Sequence, residues 1–133
     1  MKNGVWLTVI ACLFSACHPF ENNGIPPVAN YRITPENGKT TDTFKFDASL
    51  AQPGNPADKQ YYRWDWNHDG IWDGEFTKLP VTGHRFYRKG NYHPILGVMN
   101  SEGLMDTISI YLVVNQGYSA PNPSFTTQER NIW

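Results

Sequence analysis

Long hydrophobic runs are missing from this chain of 133 residues, and so is any excess of one charge. The longest apolar stretch, Val5 to Phe14, is about ten residues, half of the roughly 20 that a membrane-spanning helix needs. Acidic and basic residues nearly cancel, 12 against 11, for a net charge of −1. That balance leaves no basic footprint for nucleic acid or for an anionic membrane surface. Cysteine is scarce: Cys12 and Cys17 are the two present, both near the start, so no disulfide can staple a fold built from the rest. Eleven glycines and ten prolines fall short of the roughly 25–30% that marks low-complexity chains. No helical stripe of apolar residues appears, and no Ser or Cys nucleophile signature or zinc-ligand spacing accompanies the four histidines. What is abundant is aromatic: five Trp, seven Tyr and seven Phe predict a packed core in a single domain.

The opening segment reads as an address. Met1-Lys2-Asn3 precedes the short apolar run, which ends in Phe14-Ser15-Ala16-Cys17. Small residues before a cysteine resemble a bacterial lipoprotein signal, which implies removal of residues 1–16 and lipidation of Cys17. A secretory signal cut near Ala16, leaving a free thiol, is the plainer alternative. Residues 17–27, rich in Asn, Pro and Gly, then form a tether of about 30 Å at full extension.

From Val28 the hydrophobic period is two, the signature of strands with one buried face. Phe44, Phe46 and Ala48 alternate with Lys45 and Asp47, and Tyr62, Trp64 and Trp66 alternate with Arg63 and Asp65. Further on, Tyr92, Pro94, Leu96 and Val98 share one face, as do Ile108, Ile110, Leu112 and Val114. Breakers at Pro35 to Lys39, Pro53 to Asp58, Asn67 to Gly70, Lys89-Gly90 and Asn100 to Gly103 are spaced as turns between the strands of a sandwich. Pro94 cannot donate to a ladder, so its missing N–H is expected to point away from a partner strand. The expected fold is all-β, an immunoglobulin-like two-sheet antiparallel β-sandwich of about seven strands over residues 28–115.

Several blocks, in order, carry a family resemblance: Pro27-Val28-Ala29, FKFDAS (Phe44 to Ser49), YYRWDW (Tyr61 to Trp66), HRFYRKGNY (His84 to Tyr92) and MNSEGLMDT (Met99 to Thr107). Together they resemble a PKD domain, the immunoglobulin-like repeat named after polycystic kidney disease protein. The resemblance implies an extracellular β-sandwich used for adhesion, spacing or ligand binding, usually without catalysis. It also implies a structural hydrogen bond from His84. An extended turn, NHDGIWDGE, stands where the family has a short Gly-Asp-Gly turn.

That turn holds the sharpest chemistry. Asp65, Asn67, Asp69 and Asp73 fall at positions 1, 3, 5 and 9 of a calcium-loop pattern, with Gly70 at 6 and the Ile71 carbonyl at 7. Glu75 is an auxiliary ligand, one residue early for the bidentate position. Calcium would relieve the repulsion among these carboxylates. The competing reading is a metal-free hairpin in which Asn67 and Asp69 cap the backbone and Gly70 takes positive φ. Trp72 and Tyr61 are the aromatics least committed to the core and the candidate ligand-binding pair, since such rings stack on wet ligands. A glycosidase pair from Asp69 and Glu75 is a remote alternative, because a sandwich this small has little room for a water-excluding cleft.

Residues 116–133, with Pro121, Pro123 and several Ser, Asn and Thr, read as a flexible tail or linker. The expectation is a non-catalytic lipoprotein of the bacterial cell envelope, at the outer membrane, facing the periplasm or the surface. It binds a protein or a polysaccharide. The alternative is a structural spacer or assembly subunit without its own ligand.

Overall fold

The computed structural model describes residues 24–118. The signal segment 1–16, Cys17, tether residues 18–23 and the tail from 119 onward lie outside the described residues.

Nine short strands are formed: β1 (Arg32–Thr34), β2 (Asn37–Lys39), β3 (Phe44–Asp47), β4 (Gln60–Asp65), β5 (Val81–His84), β6 (Gly90–Tyr92), β7 (Ile95–Asn100), β8 (Met105–Ser109) and β9 (Leu112–Asn115). They hydrogen-bond as β1-β3-β5, β4-β7-β8 and β2-β9-β6. The last two groups are one layer. The register pairs Tyr92 with Leu112 and Ile95 with Ser109, so β6–β7 and β8–β9 form a single long hairpin with unbroken register. Counted that way the described residues form seven strands, in line with the expected number of about seven, but β2 is one that was not expected. Two details differ from the sequence reading. The segment Pro35 to Lys39 contains β2 within the expected turn, and β2 pairs with β9 in parallel, an exception to the antiparallel rule.

The alternating runs bury the side they were expected to bury. Phe44, Phe46, Ala48, Leu96, Val98 and Leu112 have no exposed surface, and Tyr62 and Trp64 close the core from β4. Trp64 lies parallel to Trp66 at 4.9 Å between ring centroids, and Trp66 lies parallel to His84 at 4.2 Å. This ring column runs from the core to the rim. His84 therefore plays its structural part through stacking.

Pro94 explains why the long hairpin is cut in two. The Asn100 amide bonds the Leu104 carbonyl, and in an antiparallel ladder every second pair downstream repeats that bonded geometry. Pro94 opposite Ile110 is such a pair, so, contrary to the sequence expectation, its nitrogen faces the partner strand and gives the Ile110 carbonyl no donor. The other bond of the pair is opened by Tyr31: its hydroxyl accepts from the Ile110 amide at 2.8 Å and donates to the Pro94 carbonyl at 2.6 Å. Tyr31 is only 3% exposed, and burial pushes its phenol up to about 12, the Ile110 amide partly opposing. The Trp64 ring meets Tyr31 edge-on at 5.0 Å and fixes its orientation.

The packed unit extends beyond residues 28–115 at both ends. Pro27 is buried and the Ile25 carbonyl accepts from the Asn100 side chain at 3.2 Å. Asn100 is fully buried, and its Oδ1 also takes the amides of Glu102 and Leu104, closing the β7–β8 turn. At the other end the Gly117 amide donates to Thr40 Oγ1 at 3.0 Å.

Tyr31→Phe keeps the ring but removes the hydroxyl that joins the part-buried Ile110 amide to the buried Pro94 carbonyl. At about 1–3 kcal/mol for each of the two orphaned groups, the expected loss is about 2–6 kcal/mol. In a domain of this size that lowers the melting temperature by roughly 10 °C or more. A loss under about 0.5 kcal/mol in chemical denaturation contradicts the bridging role.

Candidate functional site

The segment from Trp66 to Leu79 folds back along the free edge of β4. The Asp73 amide donates to the Trp64 carbonyl at 2.9 Å, and Thr77 and Tyr62 exchange amide–carbonyl bonds at 2.8 Å. This return carries Trp72 and Phe76 over the outward face of the β4-β7-β8 sheet. On that face, alternation places Tyr61 and Arg63 opposite Met99 and Gly97, since Tyr62 and Trp64 point inward.

Asp65 organises the turn. Its carboxylate, 1% exposed, accepts the amides of His68 at 2.7 Å, Asp69 at 3.3 Å and Gly70 at 3.0 Å. Those contacts hold His68 at φ 58 and Gly70 at φ 84 in the left-handed region. The glycine adopts it without cost, whereas His68 is further tied by Nδ1 to the His93 carbonyl at 2.9 Å. Asp73 accepts the Trp66 amide at 2.7 Å. Asp69 accepts the Ile71 amide and the Asn67 side chain, each at 2.8 Å, and these two bonds hold its carboxyl below the usual range.

Of the five positions of the calcium-loop pattern, Asp65, Asp69 and Asp73 turn carboxylate oxygens toward backbone and amide donors. Ile71 is exposed, and so is Glu75. Among the described residues, no three His, Cys, Asp or Glu side chains converge as metal ligands would. Asp69 caps the Ile71 amide and Gly70 takes positive φ, as the hairpin alternative expects, whereas the Asn67 side chain donates to Asp69.

Of the two candidate ligand-binding aromatics, Trp72 packs beside Arg63, a residue that the sequence reading passed over, and Tyr61 lies two residues from Arg63 on the same face of β4. Trp72 sits on Gly97, where an added Cβ would lie 2.9 Å from the indole; only glycine admits the ring so close. The Arg63 guanidinium lies 4.1 Å from the Trp72 centroid and 4.3 Å from that of Phe76, clamped between two rings. Its Nε is buried without a hydrogen-bond partner, and its Nη2 reaches the Met105 sulfur at 3.6 Å. Tyr61, half-buried, flanks the same Arg63 and lies opposite Met99. The result is an aromatic and methionine face around one cation, with the exposed Ile71 and Leu79 at its loop. Arg63 reads as an ordinary solvent-facing strand residue until the loop is folded over it, so no local sequence signal marks it.

No protein-family model matches the sequence, and no curated protein is significantly similar to it. Solved structures are similar in fold. A structure of carbohydrate-binding modules from the β-sandwich superfamily aligns at TM-score 0.61 and 21% identity, covering 74% of this chain and 38% of that chain. The PKD1 domain of Vibrio anguillarum Epp aligns at TM-score 0.52 and 18% identity, covering 71% of this chain and 99% of that one. The fold is PKD-like. The PKD domain of the human VPS10 domain-containing receptor SorCS2 agrees, at TM-score 0.52 and 17% identity over 72% of this chain and 80% of that one. At these identities the likeness to PKD domains concerns architecture, and function has to be argued from the site.

Two outcomes test this description of the loop. Millimolar calcium tests the metal-loop reading: that reading expects a rise in melting temperature that Asp69→Ala abolishes, and coincident melting curves in calcium and in chelator would contradict it. The second concerns His84, whose imidazole is pushed below its usual range by burial, with Asp73 partly opposing. Because the unfolded chain takes the proton first as pH falls, stability is full above about pH 6.5 and declines toward pH 5. His84→Phe is expected to flatten that decline, and an identical pH profile in both proteins would contradict it.

Proposed function

We propose that the chain is a non-catalytic binding module of the bacterial cell envelope, anchored by lipid on Cys17 and held on a short tether at the outer membrane. Its partner is a protein or a polysaccharide, engaged through the face built by Tyr61, Arg63 and Trp72. One observation carries this reading: the Arg63 guanidinium is clamped between Trp72 and Phe76 on the outward sheet face, where Tyr61, Trp72 and Phe76 are each half-buried. A planar cation held by two rings loses little freedom on binding, and Trp, Tyr and Arg are the side chains that most often dominate recognition surfaces. The non-catalytic part draws support from the loop carboxylates. Those of Asp65, Asp69 and Asp73 are committed to holding the loop backbone or its side chains. The likeness to carbohydrate-binding modules supports a polysaccharide among the partners by analogy of fold.

The test is a binding screen of the mature protein against purified envelope and environmental polysaccharides and secreted proteins, with and without calcium. At least one is expected to bind, with affinity falling about tenfold or more in Trp72→Ala and in Arg63→Ala. Silence in every condition would leave the spacer reading in its place.

A further inference from the structure

A second surface feature lies away from the Trp72 face and shares no residue with it. β1 pairs with β3 and β2 pairs with β9, so the chain changes layers at Pro35-Glu36. On the facing side, the long hairpin is interrupted at Ile110-Tyr111. Where the two departures meet they leave a groove of about 390 Å³, bordered by Arg32, Glu36, Asn37, Ile110 and Tyr111, with Tyr31 beneath. That volume falls at the low end of the roughly 300–1,000 Å³ typical of small-molecule sites.

We propose that this groove binds a neutral saccharide, with Tyr111 as the platform for a sugar ring and Arg32, Glu36 and Asn37 as partners for its hydroxyls. The charge pattern selects the ligand class. Arg32 and Glu36 border one groove without forming an ion pair; the one within 4.0 Å among the described residues joins Lys45 and Asp47. An anion would meet Glu36 and a cation would meet Arg32. An apolar ligand would strip water from both and return no hydrogen bonds. A hydroxyl donates to the carboxylate and accepts from the guanidinium or the amide, so a polyol satisfies all three. Tyr111 supplies the apolar surface that a pyranose ring needs: it is 54% exposed, with His93 beside it at 5.1 Å between ring centroids. The floor is rigid before any ligand arrives, because Tyr31 and the Ile110 amide are already bonded to each other. That lowers the ordering cost of binding.

The inference does not depend on the proposed use of the Trp72 face, and one titration separates the two. Cellohexaose, laminarihexaose, maltohexaose, mannohexaose and xylohexaose are added in turn to the full mature protein, with free amino acids as zwitterionic controls, and backbone amide resonances are followed. At least one hexaose is expected to shift Arg32, Glu36, Asn37 and Tyr111 with saturation. Affinity should fall about tenfold or more in Tyr111→Ala and in Glu36→Gln, and hold in Tyr111→Phe and Trp72→Ala. No shift at millimolar hexaose overturns the proposal, and so does saturation by amino acids alone. Binding that survives Tyr111→Ala but not Trp72→Ala also overturns it, while supporting the role of the other face.

Discussion

The arrangement of this domain depends on one tyrosine hydroxyl inserted between an amide and a carbonyl that would otherwise face each other across a hairpin. Pro94 sits at a bonded position of that hairpin and has no N–H for the Ile110 carbonyl, and the remaining bond of the pair, from the Ile110 amide to the Pro94 carbonyl, runs through the Tyr31 hydroxyl. Tyr31 supplies both partners from the opposite layer, which ties the two layers together by hydrogen bonds as well as by packing. The hairpin is thereby allowed to break without losing register. The break lets β9 accept β2 as a parallel neighbour beyond it and gives the surface groove its floor.

The other surface depends on a second buried polar anchor. Asp65 stands at the end of β4, and its carboxylate gathers three successive amides of the turn, so the segment after it must leave along the strand edge. The returning chain delivers Trp72 onto Gly97 and Phe76 onto Arg63. The aromatic face is therefore a consequence of where one carboxylate finds its donors. In both cases a buried polar group with complete hydrogen bonding fixes backbone geometry, and the exposed aromatics take their places from it.

Much of the frame was readable because period-two alternation survives any tertiary arrangement. Phe44 and Phe46, or Tyr62 and Trp64, have to face inward in a strand whatever their neighbours. Pro94 was readable as a residue that cannot donate, but its nitrogen faces Ile110 where the sequence expectation turned it away, and the Tyr31 bridge was hidden because Tyr31 lies far away in sequence. β2 was hidden because Asn-Gly-Lys is turn chemistry; it forms a strand only because β9 offers it a free edge. The Asp65 loop shows a different limit. Carboxylates spaced to ligate a cation are also spaced to cap a turn, and the choice is set by which way the amides point. Tyr61 and Trp72 belong to one sheet face, while the place of Arg63 between Trp72 and Phe76 becomes visible only after the loop closes.

Amide hydrogen exchange at Ile110 tests the bridging hydroxyl most directly. The bridge predicts that this amide, despite lying outside any strand ladder, is protected to the level of the β7 and β9 amides, and that Tyr31→Phe strips its protection selectively. Exchange of Ile110 in the wild-type protein as fast as that of an exposed loop amide would contradict it.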